Sequence, residues 1–176
     1  SSLVENYLAR RSDTPDGPTT AGLVISARRS QAVVHIDVIG VGASPYDFLR
    51  DTGCQVLGVN VSESARGTDA SGRLRFANHR SELWWRFREA LDRGICLPAS
   101  KDLARELCAP TWRPQGSIIR VESREDIVKR LGVSPDLASA YILALLDTPK
   151  VATVKAINAH RNAGRGHDPL SVLHSR

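Results

Sequence analysis

Methionine is absent from the 176 residues, so the chain as it stands carries no initiator. The expectation is a piece of something longer, or a processed product. No apolar run approaches the roughly 20 residues of a membrane-spanning helix. The opening Ser1-Ser2-Leu3-Val4-Glu5-Asn6 has neither the basic start nor the apolar segment of a secretory signal. Cysteine is scarce: Cys54, Cys96 and Cys108 are odd in number, far apart and form no C-x-x-C pair. That pattern argues against structural zinc and for reduced, partly buried thiols in a reducing compartment. No G-x-x-x-x-G-K-[ST] occurs, which excludes a P-loop nucleotide site, and Gly40-Val41-Gly42 lacks the third glycine of a dinucleotide fingerprint. The histidines at 35, 79, 160, 167 and 174 show no metal-ligand spacing, and no local serine–histidine or cysteine–histidine arrangement marks a nucleophile.

What is present reads as one domain with an ordinary core: 41% of residues are apolar and 24% charged. A net charge of +5 and a pI of about 9.5 mildly favour an anionic partner, although charge alone is equally met by a slightly basic surface. Alternating strand and helix signals predict an α/β layer fold. Strands are expected at Leu3–Leu8, Val33–Ile39, Gln55–Val61, Ile95–Leu97 and Ser117–Glu122. Helices are expected after the Asp13–Pro18 turn, over Ala43–Asp51 with Gly53 as stop, over His79–Arg93, over Lys101–Ala109, after a Ser123/Asp126 capping signal, and from Ser134 to about Asp147. In the helix from His79, Leu83, Phe87 and Leu91 share a face, and Glu82/Arg86 and Glu89/Arg93 are favourably ordered pairs. Ser62–Arg75 reads as a long polar loop. Lys150–His160 has weak helical character, and the remainder, rich in Gly, His, Arg and Pro, reads as a basic tail.

Two aspartates stand out. Asp37 interrupts the apolar run Ala32–Ile39, near the carboxyl end of its strand, where open α/β sheets place ligands. Gly40 and Gly42 beyond it permit a sharp turn and leave room for a substrate. Capping of the following loop, or pairing with a buried arginine, accounts for Asp37 equally well. Asp136 opens a helix that is apolar nearly all round, hence expected to be buried. Its competing explanation is simple compensation of the helix dipole. Arg66, Arg73, Arg75, Arg80 and Arg88 gather around the long loop and the following helix, as a DNA-backbone track or as a solvated face. Trp84 and Trp85 diverge by about 100° on a helix, one toward the core and the other near the surface.

Several segments together resemble the nuclease domain of the large terminase subunits of tailed phages. Val34-His35-Ile36-Asp37-Val38-Ile39-Gly40-Val41-Gly42-Ala43-Ser44 is similar to that family's second catalytic strand. Phe76-Ala77-Asn78-His79-Arg80-Ser81-Glu82-Leu83-Trp84-Trp85 resembles its F-x-N-x-R-[AS]-E-x-W-W helix. Val121–Ile127 followed by Lys129–Asp136 resembles its E-[SA]-K-E-D-[IL]-x-x-R-[IL]-G-x-S-P-D signature, and Asp13–Thr19 recurs there too. The likeness runs in order over roughly residues 3 to 149.

The resemblance implies an RNase H-like three-layer α/β/α fold with a mixed central sheet over residues 1–149, followed by a tail at 150–176. It implies a metal-dependent endonuclease that cuts concatemeric double-stranded DNA, using two Mg2+ or Mn2+ ions. An ATPase domain would lie upstream, portal and small terminase subunit would be partners, and the setting would be the host cytoplasm. Asp37, as a bridging ligand, and Asp136, as a terminal one, map onto two of three metal-binding acids. The third acid stands on the family's first strand, for which no matching segment precedes Leu3, and Glu5 is a poor substitute; the expectation is a chain lacking its first strands. Ser139 stands where many members carry a further acid and is left to hold a metal-bound water. Arg124 replaces a common lysine, and Arg124 or Arg130 would steady the transition state. The rival expectation is a catalytically incomplete prophage fragment that binds DNA or protein without cutting.

Overall fold

The computed structural model describes residues 15–29 and 32–146. The expected strand at Leu3–Leu8, the expected tail, and the domain boundary at 149 lie outside them. α1 (Gly17–Ala27) begins where Asp16 accepts a hydrogen bond from the Thr19 N–H at 2.7 Å. β1 (Val34–Asp37) is half-buried throughout, and a 3-10 turn over Gly40–Gly42 leads directly into α2 (Ala43–Asp51), which packs on α1. Gly53, in the left-handed region at φ 75°, closes α2 as expected. β2 (Val56–Val59) runs parallel to β1, with Asp37 opposite Val59.

The rest of the chain builds a second piece of sheet. β3 (Arg75–Phe76), β5 (Ile118–Val121) and β4 (Trp112–Gln115) lie in that order, β3 parallel and β4 antiparallel to β5. Among the described residues the strands therefore form a parallel pair and a mixed three-stranded sheet, the mixed α/β architecture expected. β3 and β4 escape sequence reading: one has only two residues, and the other carries Pro114. Ile95–Leu97, conversely, joins no ladder and has no regular secondary structure.

α3 (His79–Asp92) supplies the centre of the core through Leu83, Trp84, Trp85 and Phe87. Both tryptophans are buried, against the expected divergence, because Trp85 is covered edge-on by Trp112 at 4.8 Å. Leu91, expected inside, is exposed near the helix end. Glu82 and Arg86 do pair, at 2.8 Å, but Glu89 turns to the loop and accepts the Ala70 N–H. α4 (Lys101–Leu107) buries Leu103. Cys96 and Cys108 are exposed rather than partly buried; all three cysteines are free.

α5 (Arg124–Leu131) is capped by Ser123, whose Oγ accepts the Asp126 N–H, and ends at left-handed Gly132; Ile127 alone anchors it in the core. α6 (Asp136–Ala144) starts one residue later than expected: Pro135 is the cap position, and Ser134 bonds the Asp136 carboxylate instead of a backbone N–H. Its far end, with Tyr141, Ile142 and Leu143, enters the core.

Glu122 ties α5 to the sheet. It accepts from Arg130 Nη2 at 2.6 Å and Nε at 3.0 Å, and from the Thr111 N–H and hydroxyl at 2.9 and 3.0 Å. The Arg130 hydrogen bonds, with those from Thr111, hold its carboxyl down to about 2, against an ordinary 4.5. A depressed folded-state value contributes stability above pH 4.5 and loses it as pH falls toward 2. Glu122→Gln is therefore expected to lower unfolding stability at pH 7 by about 1–2 kcal/mol. Denaturant titrations from pH 7 downward should show the wild-type advantage vanish between pH 4.5 and about 2.

Candidate active site

A cleft of about 730 Å³ opens between the carboxyl end of β1 and the starts of α3, α5 and α6. Asp37, the last residue of β1, and Asp136, the first of α6, both line it. Asp37 is half-buried, and its Oδ1 accepts the Ile39 N–H at 3.1 Å, so it does cap the loop that follows. His35, on the same strand face, lies with Nδ1 2.8 Å from the Leu143 carbonyl. A carbonyl only accepts, so Nδ1 carries the proton and the bond ties β1 to α6.

Asp136 is exposed, not buried as expected: its neighbours Pro135 and Leu137 turn toward the core, and its own side chain points to the open cleft. Its Oδ1 accepts from Arg124 Nε at 3.2 Å and Nη2 at 3.1 Å, and from the Ser134 hydroxyl. The two side chains of that ion pair are 55% and 71% exposed, so water competes for both and the pair is readily exchanged. Ser139 also lines the cleft, its hydroxyl donating to the Pro135 carbonyl at 2.8 Å.

Arg80 is the most constrained cation here. It stands in the first turn of α3, its Nε donates to the Glu122 carbonyl at 3.3 Å, and its guanidinium lies 5.2 Å from the Trp84 ring centre. Its Nη2 is buried with no hydrogen-bond partner among the described residues. Burial pulls its pKa down, opposed by the charges of Glu125 and Asp37 and reinforced by Arg124. Glu125 lines the cleft as a third carboxylate. Sequence reading passed over it as an ordinary acid in a first helical turn; its place beside the cationic Arg124 was the available signal.

The remaining expected residues stand elsewhere. Arg130 does not line the cleft, since Glu122 and the Ala109 carbonyl hold it. Arg66 is exposed and 3.8 Å from Glu63; Arg88 is exposed, 4.5 Å from the Trp85 ring; Arg73 and Arg75 are exposed. Of that arginine set only Arg80 lines the cleft.

Beside the His35 imidazole, the cleft is lined by carboxylate, hydroxyl and amide oxygens, the ligand chemistry that suits Mg2+ or Mn2+. Among the described residues no three His, Cys, Asp or Glu side chains are grouped closely enough to cage an ion by themselves. Waters and a substrate phosphate would have to complete its coordination, as is common for Mg2+.

Mixed α/β topology with an acid-lined cleft at a strand's carboxyl end is an architecture that nucleases use, and the fold is the one seen in solved terminase nuclease domains. The chain resembles the solved nuclease domain of the large terminase subunit gp2 of bacterial virus Sf6, with a TM-score of 0.54 and 18% identity, over 75% of this chain and 71% of that one. A mutant of the same domain solved with manganese matches at the same TM-score, over 72% of its length, and a mutant form with calcium does likewise over 71%. No protein-family model and no curated relative matches the sequence. No helix among the described residues is long and apolar enough to cross a membrane.

Proposed function

We propose that the chain is the metal-dependent DNA endonuclease domain of a viral genome-packaging terminase, acting on concatemeric double-stranded DNA in the host cytoplasm. One observation carries the reading. Asp37 and Asp136, remote in sequence, line one cleft together with Arg80 and Arg124 on the fold of a terminase nuclease domain. Asp37 and Asp136 would hold one or two Mg2+ or Mn2+ ions, whose chemistry is to activate water and neutralise charge on the leaving oxygen. Arg124 must leave Asp136 for this, and its exposed pair makes that exchange cheap. Once released, Arg124 and the rigid Arg80 present guanidinium donors to the scissile phosphate. Ser139 is placed to orient a water beside Asp136. The ATPase domain, portal and small subunit remain partners by the same reading, and residues 150–176 a basic tail.

A second reading, DNA binding without cutting, draws on the lack of a three-acid cluster among the described residues. Supercoiled plasmid with Mn2+ separates the two. Nicking that a chelator abolishes is the expected result; retained DNA binding with no nicking favours the second reading, and neither activity removes both.

A further inference from the structure

The outward face of the three-stranded sheet carries positive charge without compensation. In β5, Ile119 and Val121 enter the core, which turns Ile118 and Arg120 outward. The register extends that face across the sheet: Arg113 of β4 stands directly opposite Arg120, Gln115 opposite Ile118, and Arg75 of β3 beside Ile118. All five are exposed, and none is a carboxylate. Among the described residues Arg75, Arg113 and Arg120 form no ion pair. Arg120 Nε donates to Gln115 Oε1 at 3.1 Å, which positions the guanidinium without neutralising it. Glu122, the next position along, is already saturated by Arg130 and Thr111. Like charges directly opposite one another destabilise a strand pair, so this face is built at some cost to stability.

We infer that this face is a second DNA contact, binding the phosphate backbone of the duplex outside the cleft; the inference rests on the DNA reading above. Neighbouring strands lie about 4.8 Å apart. Arg113 and Arg120 stand directly opposite one another, and Arg75 lies on the other side of β5, level with Ile118, so three guanidinium groups on long side chains share one patch within reach of a single DNA backbone. Guanidinium groups favour phosphate geometrically, and a flat sheet face offers nothing to read base edges, so the contact is independent of sequence. None of the three arginines lines the cleft, so the two sites are separable by mutation.

The test is the double variant Arg113→Ala/Arg120→Ala in the full chain, with a fluorescent duplex titrated by anisotropy between about 50 and 200 mM salt. The slope of log K against log salt should become shallower by about 1.8, that is 0.9 per lost phosphate contact, with binding weakened roughly tenfold. Nicking at saturating DNA should be unchanged, and Arg113→Lys/Arg120→Lys should restore the slope. Relief of the repulsion should leave the Tm equal or higher, which separates lost contact from lost fold. An unchanged slope and affinity in the alanine variant overturns the inference alone. So does loss of polyglutamate binding without loss of DNA binding, which would make an acidic protein the occupant. A wild type that binds no duplex overturns the DNA reading as well, whereas Asp37→Asn should still bind.

Discussion

Asp37→Asn is expected to abolish manganese-dependent plasmid nicking, by more than about 100-fold, since even residues behind the direct ligands of a metal cost 10–100-fold. The substitution is nearly isosteric. The amide oxygen can still accept the Ile39 N–H, as the carboxylate does at 3.1 Å, so the loop should keep its shape. What disappears is the negative charge at the end of β1. Asp136→Asn should be similarly damaging and should also set Arg124 loose from the partner it holds at 3.1 Å. Thermal unfolding should move little for either variant, because one carboxylate is only half-buried and the other exposed. Nicking by Asp37→Asn at a rate close to wild type would sink the nuclease reading. Loss of nicking together with loss of fold would point to a structural role for the loop cap.

Gly42→Ala should have the other large effect, through backbone packing. A Cβ at Gly42 would overlap the carbonyl oxygen of Asp37 outright and come within 3.3 Å of the Ile36 side chain. The atom in the way is main chain, so no rotamer change relieves it. Either the 3-10 turn lifts off β1, or the end of β1 shifts and carries Asp37 with it. Over-packing of this kind costs about 3 kcal/mol, and a displacement of about 1 Å at a reacting group costs roughly 100-fold in rate. Gly40→Ala is the informative companion: at φ 68° it strains its own backbone yet meets no atom within 4 Å. It should cost about 1 kcal/mol and leave Asp37 in place. Equal effects of the two substitutions on nicking would show that Gly42 matters for turn conformation and not for seating Asp37.

Long periodic elements were legible from the chain alone. α3 carries an apolar stripe, α2 its Gly53 stop, and α5 its Ser123 cap and Gly132 end. Each signal is local, since a cap or stop acts within one helical turn. Pieces whose stability comes from a distant partner were not legible. β3 has two residues and exists because β5 supplies its hydrogen bonds; β4 carries a proline and survives as an edge strand. Leu91 reads as core by spacing, but a stripe does not say how far the covering surface extends. Burial of Asp136 was misjudged for a related reason: Pro135 and Leu137 on either side of it meet the core, but apolar neighbours in sequence do not say which way the residue between them points.

Residue order by itself settled which acids are candidates, because a carboxylate ending an apolar strand and another opening an apolar helix are anomalies of pattern that need no coordinates. Only the folded chain decided that Asp37 and Asp136 share a cleft, that Glu125 and Arg80 join them, and that Arg130 does not. It also decided that Arg75, Arg113 and Arg120 share one face. The division is physical. Caps, turns and periodicity arise from forces acting across a few residues, whereas a site is assembled by strand register and helix packing between segments that only a closed core brings together.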